Sequence, residues 1–166
     1  MTKPASTVHR IRADAMTPSA WLGLDQQLCF ALYAASLAMT KLYKPLLDPL
    51  SLTYPQYLVL LVLWEGDDIA VSDVGQRLSL DSGTLTPLLK RLEAAGLLQR
   101  RRDSGDERRV RVSLTAAGRA LKARAAKVPR QVACATACSL DELAALTAQL
   151  KQLRDQITEF STRAAA

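Results

Sequence analysis

The order of the elements encoded in the middle of the chain constrains the fold more than any other feature. Two short helical segments, 72–78 and 83–95, are separated by the turn residues SLDS, and Gly96 stands at the stop position of the second. The segment LLQRRRDSGDERRVRVSL follows, with two β-prone arms on either side of a turn signal, DSGD. Helix, turn, helix and Arg-rich hairpin in this order predict a winged helix.

The second of these helices has the composition of a helix that reads bases. The N-terminal turns of such a helix meet base edges in the major groove, so short polar side chains belong there. The sequence supplies these, followed by two cations: Ser82, Thr84, Thr86, Lys90 and Arg91. Leucines at helical spacing are expected to face the core: Leu85, Leu88, Leu89 and Leu92.

The hairpin adds a second expected contact, because arginine in the narrow, electronegative minor groove supplements a major-groove helix. Three acidic residues accompany six arginines in it: Arg100, Arg101, Arg102, Arg108, Arg109 and Arg111. A bundle corner with a solvated charged face is the alternative. The order of the elements and the net charge of +6 favour double-stranded DNA as the partner.

Length and cysteine usage narrow the class of protein further. A chain of 166 residues that is 49 % hydrophobic can bury a core as one domain with helical additions. Its three cysteines, an odd number, do not suit a secreted disulfide framework, and the N-terminus lacks the apolar run of a signal peptide. A reducing, cytoplasmic compartment is therefore expected.

The longest apolar run, YLVLLVLW at 57–64, is far shorter than the ~20 residues that a membrane span requires. Thr53 and Gln56 stand at capping-box spacing just before it, with Pro55 in the first turn. We therefore expect a core helix here and no membrane partner.

The segment SLDSGTLTPLLKRLEAAGLLQRRRDSGDERRVRVSLTAAG resembles the recognition helix and wing of MarR-type transcriptional regulators. The wing pattern of this family corresponds to Asp103, Asp106 and Arg108, and SLTAAG to the start of the next helix. The resemblance covers about residues 24 to 160. It implies a DNA-binding repressor rather than an enzyme, a mainly α fold with a small β-hairpin wing, and a homodimer whose N- and C-terminal helices interlock. It also implies that Arg108 enters the minor groove, held by Asp106.

The expected organisation follows from this resemblance and from local signals. Residues 1–20 are expected to form a flexible arm, 21–50 and 115–166 the helical dimerisation region, and 51–114 the DNA-binding lobe. The first helix should run from Leu24 until Lys44-Pro45 ends or kinks it. The C-terminal helices should break near Pro129 and restart at a capping box of Ser139 and Glu142.

The first helix also carries a cysteine, Cys29, ahead of Tyr43 and Tyr54. A buried structural thiol is the plainest interpretation. The segment from Cys29 to LTYPQYLVLLVLWE nevertheless resembles the organic hydroperoxide repressors of the family, which implies that Tyr43 and Tyr54 of the opposite subunit hydrogen-bond the sensing thiol. A thiolate attacks peroxide, and phenol donors stabilise an anion without adding charge. Asp25, four residues earlier, is expected to share the helix face of Cys29 and to oppose its ionisation.

Oxidised cysteine either condenses with a second thiol or proceeds to irreversible acids. In the two-cysteine repressors the resolving thiol lies in the C-terminal helices of the other subunit, and the resemblance assigns it to Cys134. Cys138 is expected one helical turn away on the same face, so it is a second candidate or a spectator.

Three other functions compete with this one. A MarR-type regulator released by a phenolic ligand would leave Cys29 structural. A thiol peroxidase is disfavoured because the chain lacks an alternating strand and helix pattern. Zinc is disfavoured because the half-site of Cys134 and Cys138 has no further cysteine nearby and the only histidine is His9. We therefore expect no metal and no cofactor.

Overall fold

The computed structural model describes residues 22–103, 105–106 and 108–164, so the predicted arm at 1–20 lies outside the described residues. The chain divides into two compact units, one ending at Thr40 and the other beginning at Lys41. The elements in chain order are α1 (Leu28–Leu47), α2 (Tyr54–Glu65), β1 (Ile69–Ala70), α3 (Val71–Leu78), α4 (Ser82–Ala94), β2 (Leu98–Arg102), β3 (Val110–Leu114), α5 (Ala116–Ala125), α6 (Val128–Ala135) and α7 (Leu140–Ala164).

The first unit contains a 3-10 turn, Leu24–Gln26, and the first part of α1. Extended backbone at Gln27 (φ −86°, ψ 114°) separates the two, so α1 begins at Leu28 and not at Leu24 as predicted. Asp25 therefore does not belong to the helix of Cys29, and the prediction of a shared helix face was wrong. Four apolar or aromatic side chains of this part of α1 are exposed: Leu28, Leu32, Tyr33 and Leu37.

In the second unit, α1 continues past Pro45 to Leu47, so Lys44-Pro45 does not end the helix, and the alternative expectation of a kink at this position stays a prediction. Proline costs a helix one hydrogen bond and a steric clash with the preceding turn, and both effects are confined here to the last turn. A 3-10 turn at Asp48–Leu50 follows, and Ser51 in the left-handed region (φ 56°) redirects the chain.

Helix α2 begins as the capping box predicts, with the Thr53 N–H donating to Gln56 Oε1 at 2.8 Å, and it ends at Gly66. It supplies the centre of the core because most of its apolar side chains are buried: Tyr57, Val59, Leu60, Val62 and Leu63. In the described part of the chain no single helix is long and apolar enough to cross a membrane, although the bent pair Leu28–Leu50 and Tyr54–Glu65 passes that test together.

Helices α3 and α4 and the hairpin form the predicted winged helix. Leu85, Leu89 and Leu92 are buried as expected, while Leu88 is half-buried. Strands β2 and β3 pair antiparallel from Leu98↔Leu114 to Arg102↔Val110. Strand β1, which the sequence did not indicate, adds to the outside of β3 and gives the order β1-β3-β2. The predicted fold class is confirmed.

The C-terminal helices break at two places. The first break, between Ala125 and Val128, is the predicted break near Pro129, although α6 already begins there and Pro129 lies in its first turn. Ser139 and Glu142 form the predicted capping box, with the Ser139 N–H donating to Glu142 Oε2 at 2.8 Å. Between these helices Ala137 adopts a left-handed conformation (φ 53°). Cys134 therefore lies on α6 and Cys138 in the connection to α7, so the prediction that they share a helical face was wrong. The proposed limits of the DNA-binding lobe and dimerisation regions remain predictions.

Candidate DNA-binding and redox sites

The N-terminus of α4 is organised by Asp81, its capping residue. Asp81 Oδ1 accepts the Thr84 N–H at 2.9 Å and Oδ2 accepts the Thr84 hydroxyl at 2.9 Å. These bonds hold the pKa of Asp81 below its usual value, mainly through the Thr84 backbone. The Thr86 hydroxyl donates to the Ser82 carbonyl at 2.7 Å. Both threonine oxygens are thereby oriented as acceptors at the end of the helix that is predicted to meet bases.

The six hairpin arginines fall into two groups, and the first group is paired with carboxylates. Arg100 contacts Glu93 on α4, and Arg101 contacts Asp68 at 2.7 Å. Arg111 lies 3.2 Å from Asp68 and 3.3 Å from Asp103. The hydrogen bond from Arg111, supported by that from Arg101, holds the pKa of Asp68 below its usual value. These three arginines stabilise the attachment of the wing.

The second group comprises Arg102, Arg108 and Arg109, which are exposed and have no salt bridge to any described carboxylate. Asp106 Oδ1 accepts the backbone N–H of Arg108 at 3.0 Å, so it shapes the turn and the guanidinium remains available. On α4, Lys90 and Arg91 are likewise exposed. The cations available to a phosphate backbone are therefore fewer than the sequence indicates.

Sequence reasoning missed two aspartates that hold the wing at its base. Asp67 Oδ1 accepts the Leu114 N–H at 2.8 Å, and Asp67 Oδ2 lies 2.9 Å from Arg119. Asp68, in the left-handed region (φ 54°), receives both Arg101 and Arg111. The two adjacent acids that follow Gly66 are the signal in the sequence that could have indicated them.

The second unit brings Tyr43 and Tyr54 together, with ring centroids 4.4 Å apart. Tyr57, which the sequence did not single out, lies 5.9 Å from Tyr43 and 6.2 Å from Trp64. Burial, with the neighbouring phenols, raises the pKa of Tyr43 to about 12, and burial raises the pKa of Tyr54 as well. These phenols are therefore neutral donors at physiological pH, and within the described residues the hydroxyls of Tyr43 and Tyr54 form no hydrogen bond.

The three cysteines are free thiols, and all are exposed in the single chain. Cys29 is the second residue of α1, and its Sγ lies 3.9 Å from Gln27 Oε1. The Cys138 thiol donates to the Thr136 carbonyl at 3.3 Å. The buried structural thiol considered from the sequence therefore does not describe Cys29 within one chain.

A helix-turn-helix followed by a β-hairpin wing, in which Arg102, Arg108 and Arg109 have no salt bridge to a described carboxylate, defines a winged-helix DNA-binding protein. The model of the transcriptional regulator SarA/Rot family matches residues 41–125. The chain belongs to this family of MarR-like winged-helix transcriptional regulators.

Two curated regulators are similar to this chain in sequence. The HTH-type regulator TtmR of Methylorubrum extorquens is 54 % identical over 134 residues, 81 % of this chain and 69 % of TtmR. The organic hydroperoxide resistance transcriptional regulator of Bacillus subtilis is 58 % identical over 106 residues, which are 64 % of this chain and 72 % of that regulator.

Solved structures of AbfR, a protein of Staphylococcus epidermidis, are similar over most of the chain. Reduced AbfR bound to DNA is 33 % identical with a TM-score of 0.70, over 84 % of this chain and 96 % of AbfR. Overoxidised AbfR bound to DNA gives a TM-score of 0.66 at 33 % identity, over 85 % and 99 %. Disulfide-formed AbfR gives a TM-score of 0.55 at 34 % identity, over 81 % of this chain and 95 % of AbfR. The resemblance to MarR-type regulators of the organic hydroperoxide branch is confirmed, and the two-cysteine type stays a prediction.

Proposed function

We propose that this protein is a homodimeric repressor that binds operator DNA when reduced and is released when an organic hydroperoxide oxidises Cys29. The observation that carries the proposal is the tyrosine pair. Tyr43 and Tyr54 stack at 4.4 Å, stay protonated, and have hydroxyl donors that no described residue uses. Two phenols of this kind suit a thiolate supplied by the partner subunit.

The DNA contacts follow from the residues that are available on α4 and the wing. Ser82, Thr84 and Thr86 read base edges in the major groove. Arg108, whose guanidinium forms no bond to the described residues, enters the minor groove. The remaining available cations contact phosphates on both sides: Lys90, Arg91, Arg102 and Arg109.

The redox step begins with attack of the Cys29 thiolate on the terminal peroxide oxygen. The O–O bond breaks, an alkoxide leaves and takes a proton from water to become the alcohol, and Cys29 becomes a sulfenic acid, while the hydroperoxide is reduced by two electrons. The thiol of Cys134 from the partner subunit then attacks the sulfenic sulfur, and water leaves as the disulfide forms. Cys138, which lies off the helix of Cys134, is the weaker candidate for this second step.

The disulfide rather than further oxidation is the releasing event in this proposal. Overoxidised AbfR has been crystallised bound to DNA. The structure of this chain has a lower TM-score to disulfide-formed AbfR, 0.55, than to reduced AbfR bound to DNA, 0.70. A covalent bond between subunits moves the helices that carry both lobes, and it thereby spoils the spacing of the two recognition helices.

Exposed apolar side chains support the homodimer. The first part of α1 exposes Leu28, Leu32 and Leu37, and α7 has no buried residue in the single chain. A series of exposed apolar side chains along a helix is typical of an interaction surface. A symmetric pair of lobes then places two recognition helices about one turn of DNA apart.

A ligand-released regulator remains the second candidate because of a groove between α2 and α5. The groove has a volume of about 170 Å³, and its lining residues are Tyr57, Leu61, Trp64, Glu65, Lys122, Ala125 and Ala126. An aromatic acid or phenol would place its ring among the apolar side chains and its anion near Lys122.

A DNA mobility shift separates the candidates. Reduced protein should bind, and about one equivalent of cumene hydroperoxide per Cys29 should release it from DNA. Cys29→Ser should bind equally well and resist peroxide. Release of Cys29→Ser by peroxide would contradict the proposal, release only by a phenolic compound would favour the second candidate, and turnover of many equivalents would indicate a peroxidase.

The two cysteine candidates are compared on non-reducing gels. Peroxide-treated protein should run as a dimer, Cys134→Ser should largely remove that band, and Cys138→Ser should have a smaller effect. Tyr43→Phe and Tyr54→Phe should slow oxidation while the reduced variants retain DNA affinity. Equal oxidation rates in both Phe variants would remove the tyrosines from the site.

A further inference from the structure

The last turn of α4 is joined to the first strand of the wing by one carboxylate. Glu93 Oε1 accepts the backbone N–H of Arg100 at 3.0 Å, and Glu93 Oε2 accepts Nε at 2.9 Å and Nη2 at 2.6 Å from the same residue. Both side chains are half-buried, with 34 % of Glu93 and 27 % of Arg100 exposed. The hydrogen bonds from Arg100 hold the pKa of Glu93 below its usual value, so this carboxylate is charged at neutral pH.

Two features distinguish this pair from an ordinary surface ion pair. It binds the strand backbone as well as the side chain, and Arg100 is paired in the ladder with Val112 of β3. Among the salt bridges of the described residues it is also the one that connects α4 to the hairpin, since Arg101 and Arg111 bind Asp68 and Asp103 instead. The connection between α4 and β2 is short and contains Gly96 in the left-handed region (φ 70°).

We infer that Glu93 and Arg100 form a positioning clasp that sets the angle between the recognition helix and the wing. The inference rests on the proposed DNA-binding function and concerns residues that do not themselves contact DNA. A recognition helix and a wing enter different grooves of one half-site, so both contacts form together only at the correct relative orientation. The clasp therefore contributes to the preference for operator over other DNA, where contacts with the phosphate backbone suffice.

A simpler account is that Glu93 merely neutralises an arginine that would otherwise bind phosphate. The two accounts predict opposite changes in DNA affinity for Glu93→Gln, which removes one negative charge. Neutralisation predicts tighter DNA binding and a steeper dependence of affinity on salt. A positioning role predicts weaker binding to the specific site although the protein has become more basic.

The experiment uses reduced full-length dimer and two duplexes of equal length. One duplex is selected from a random-sequence library by the reduced wild-type protein, and the other is an unselected sequence. Glu93→Gln and Glu93→Asp, which keeps the charge but shortens the side chain, should each weaken binding to the selected duplex about tenfold. Binding to the unselected duplex should stay within about twofold for Glu93→Asp and should be equal or tighter for Glu93→Gln.

The matched control is Glu159→Gln, which makes the same charge change at an exposed pair with Arg163 on α7. It should leave unchanged the ratio of the affinity for the selected duplex to the affinity for the unselected duplex. Arg100→Lys, which keeps the positive charge but cannot form the forked bond, should lower the ratio as well and replaces Glu93→Gln if that variant fails to fold. Thermal unfolding identifies folded variants.

Tighter binding of Glu93→Gln to the selected duplex, or an unchanged ratio in both Glu93→Asp and Arg100→Lys, would overturn the clasp. Wild-type protein that stays on DNA after peroxide treatment would instead contradict the redox function and leave the clasp result standing. If the wild-type protein selects no sequence from the library, the DNA-binding function is wrong and the clasp is wrong with it.

Discussion

The winged-helix lobe and α7 use apolar side chains in opposite ways. In the lobe, Leu85, Leu89 and Leu92 of α4 and Leu98, Val112 and Leu114 of the wing are buried within one chain. In α7, apolar side chains recur at alternating intervals of three and four, and those at Leu146, Leu150, Ile157 and Phe160 are exposed. The lobe therefore buries its apolar side chains within one chain, whereas those of α7 are exposed, and we propose that a helix of a second subunit covers them.

The difference explains why the two proposed sites are unequally visible in a single chain. The DNA-binding surface consists of residues whose positions are set inside the lobe by caps and ion pairs, such as Asp81 and Asp68. The proposed redox site instead combines Cys29, on the part of α1 that exposes apolar side chains, with residues of a second subunit. Measurements on variants of each region test whether this division is correct.

Charging the exposed face of α7 should have the largest effect. The double variant Leu146→Glu and Leu150→Glu places two carboxylates where we expect a helix of the second subunit, and burying them unpaired is costly. We expect monomers in analytical ultracentrifugation. Operator affinity should fall at least about 100-fold, because two linked half-site contacts become one.

The control for this variant is Ala148→Glu, which adds a carboxylate at another exposed position of α7 outside the apolar series. It should remain dimeric and bind DNA normally. If the double variant is still a dimer, the exposed face of α7 is not part of the subunit interface and the contrast with the lobe fails.

A substitution at Gly118 tests the close packing inside the second unit, which contains the winged-helix lobe. A Cβ at this position would overlap the Leu97 carbonyl oxygen and lie 3.1 Å from Leu114 Cδ2. The Gly118 carbonyl also accepts the Trp64 indole N–H at 2.9 Å, so the backbone cannot move away without losing that bond. Gly118→Ala should therefore lower the free energy of unfolding by about 3 kcal/mol.

Gly66→Ala is the matched control because no atom lies within 4 Å of a Cβ built there and its φ of −152° suits any residue. Its unfolding midpoint in denaturant should differ little from that of the wild-type protein. Equal stabilities of the Gly118 and Gly66 variants would indicate that the lobe is more loosely packed than the structure indicates.

Local signals predicted most of the fold correctly. The capping boxes at Thr53 and Ser139 and the break near Pro129 lie where the sequence indicated, because each depends on residues close together in the chain. The cap at Asp81 was not predicted, since the turn was expected to extend to Ser82. The winged helix was recognisable because several such signals occur in one order. The pairing of Tyr43 with Tyr54 was expected only from the family resemblance.

The missed features depend on contacts between distant residues or on a single backbone conformation. Strand β1 has two residues, too few for an alternating pattern, and it exists because β3 pairs with it. Asp67 bonds residues 47 and 52 positions away. The positions of Asp25 and Cys138 were wrong because extended backbone at Gln27 and left-handed backbone at Ala137 interrupt the expected helices.

The arginines of the wing differ in charge pairing, since only some of them form a salt bridge with a described carboxylate. Arg108→Ala should weaken operator binding and lower the slope of log affinity against log salt by about 1, because one contact that releases a counterion is lost. Arg101→Ala removes the same charge from a residue that is paired with Asp68. Its salt slope should change little. Equal slope changes in the two variants would mean that the internal ion pairs do not withhold arginines from DNA.

The smallest expected effect concerns the tyrosines, whose environment within one chain already favours the neutral phenol. Because burial and the nearby phenols raise the pKa of Tyr43 to about 12, its ionisation should be the last step in an ultraviolet titration. The neutral form is favoured by the folded state, so this contribution to stability is complete below about pH 10, the usual tyrosine pKa, and is lost as pH rises toward 12. Tyr43→Phe should remove that last step, and Tyr33→Phe, at an exposed position of α1, should retain it. If Tyr43→Phe leaves the step in place, the pair does not shield its phenols, and the argument that Tyr43 serves a thiolate as a neutral donor loses its basis.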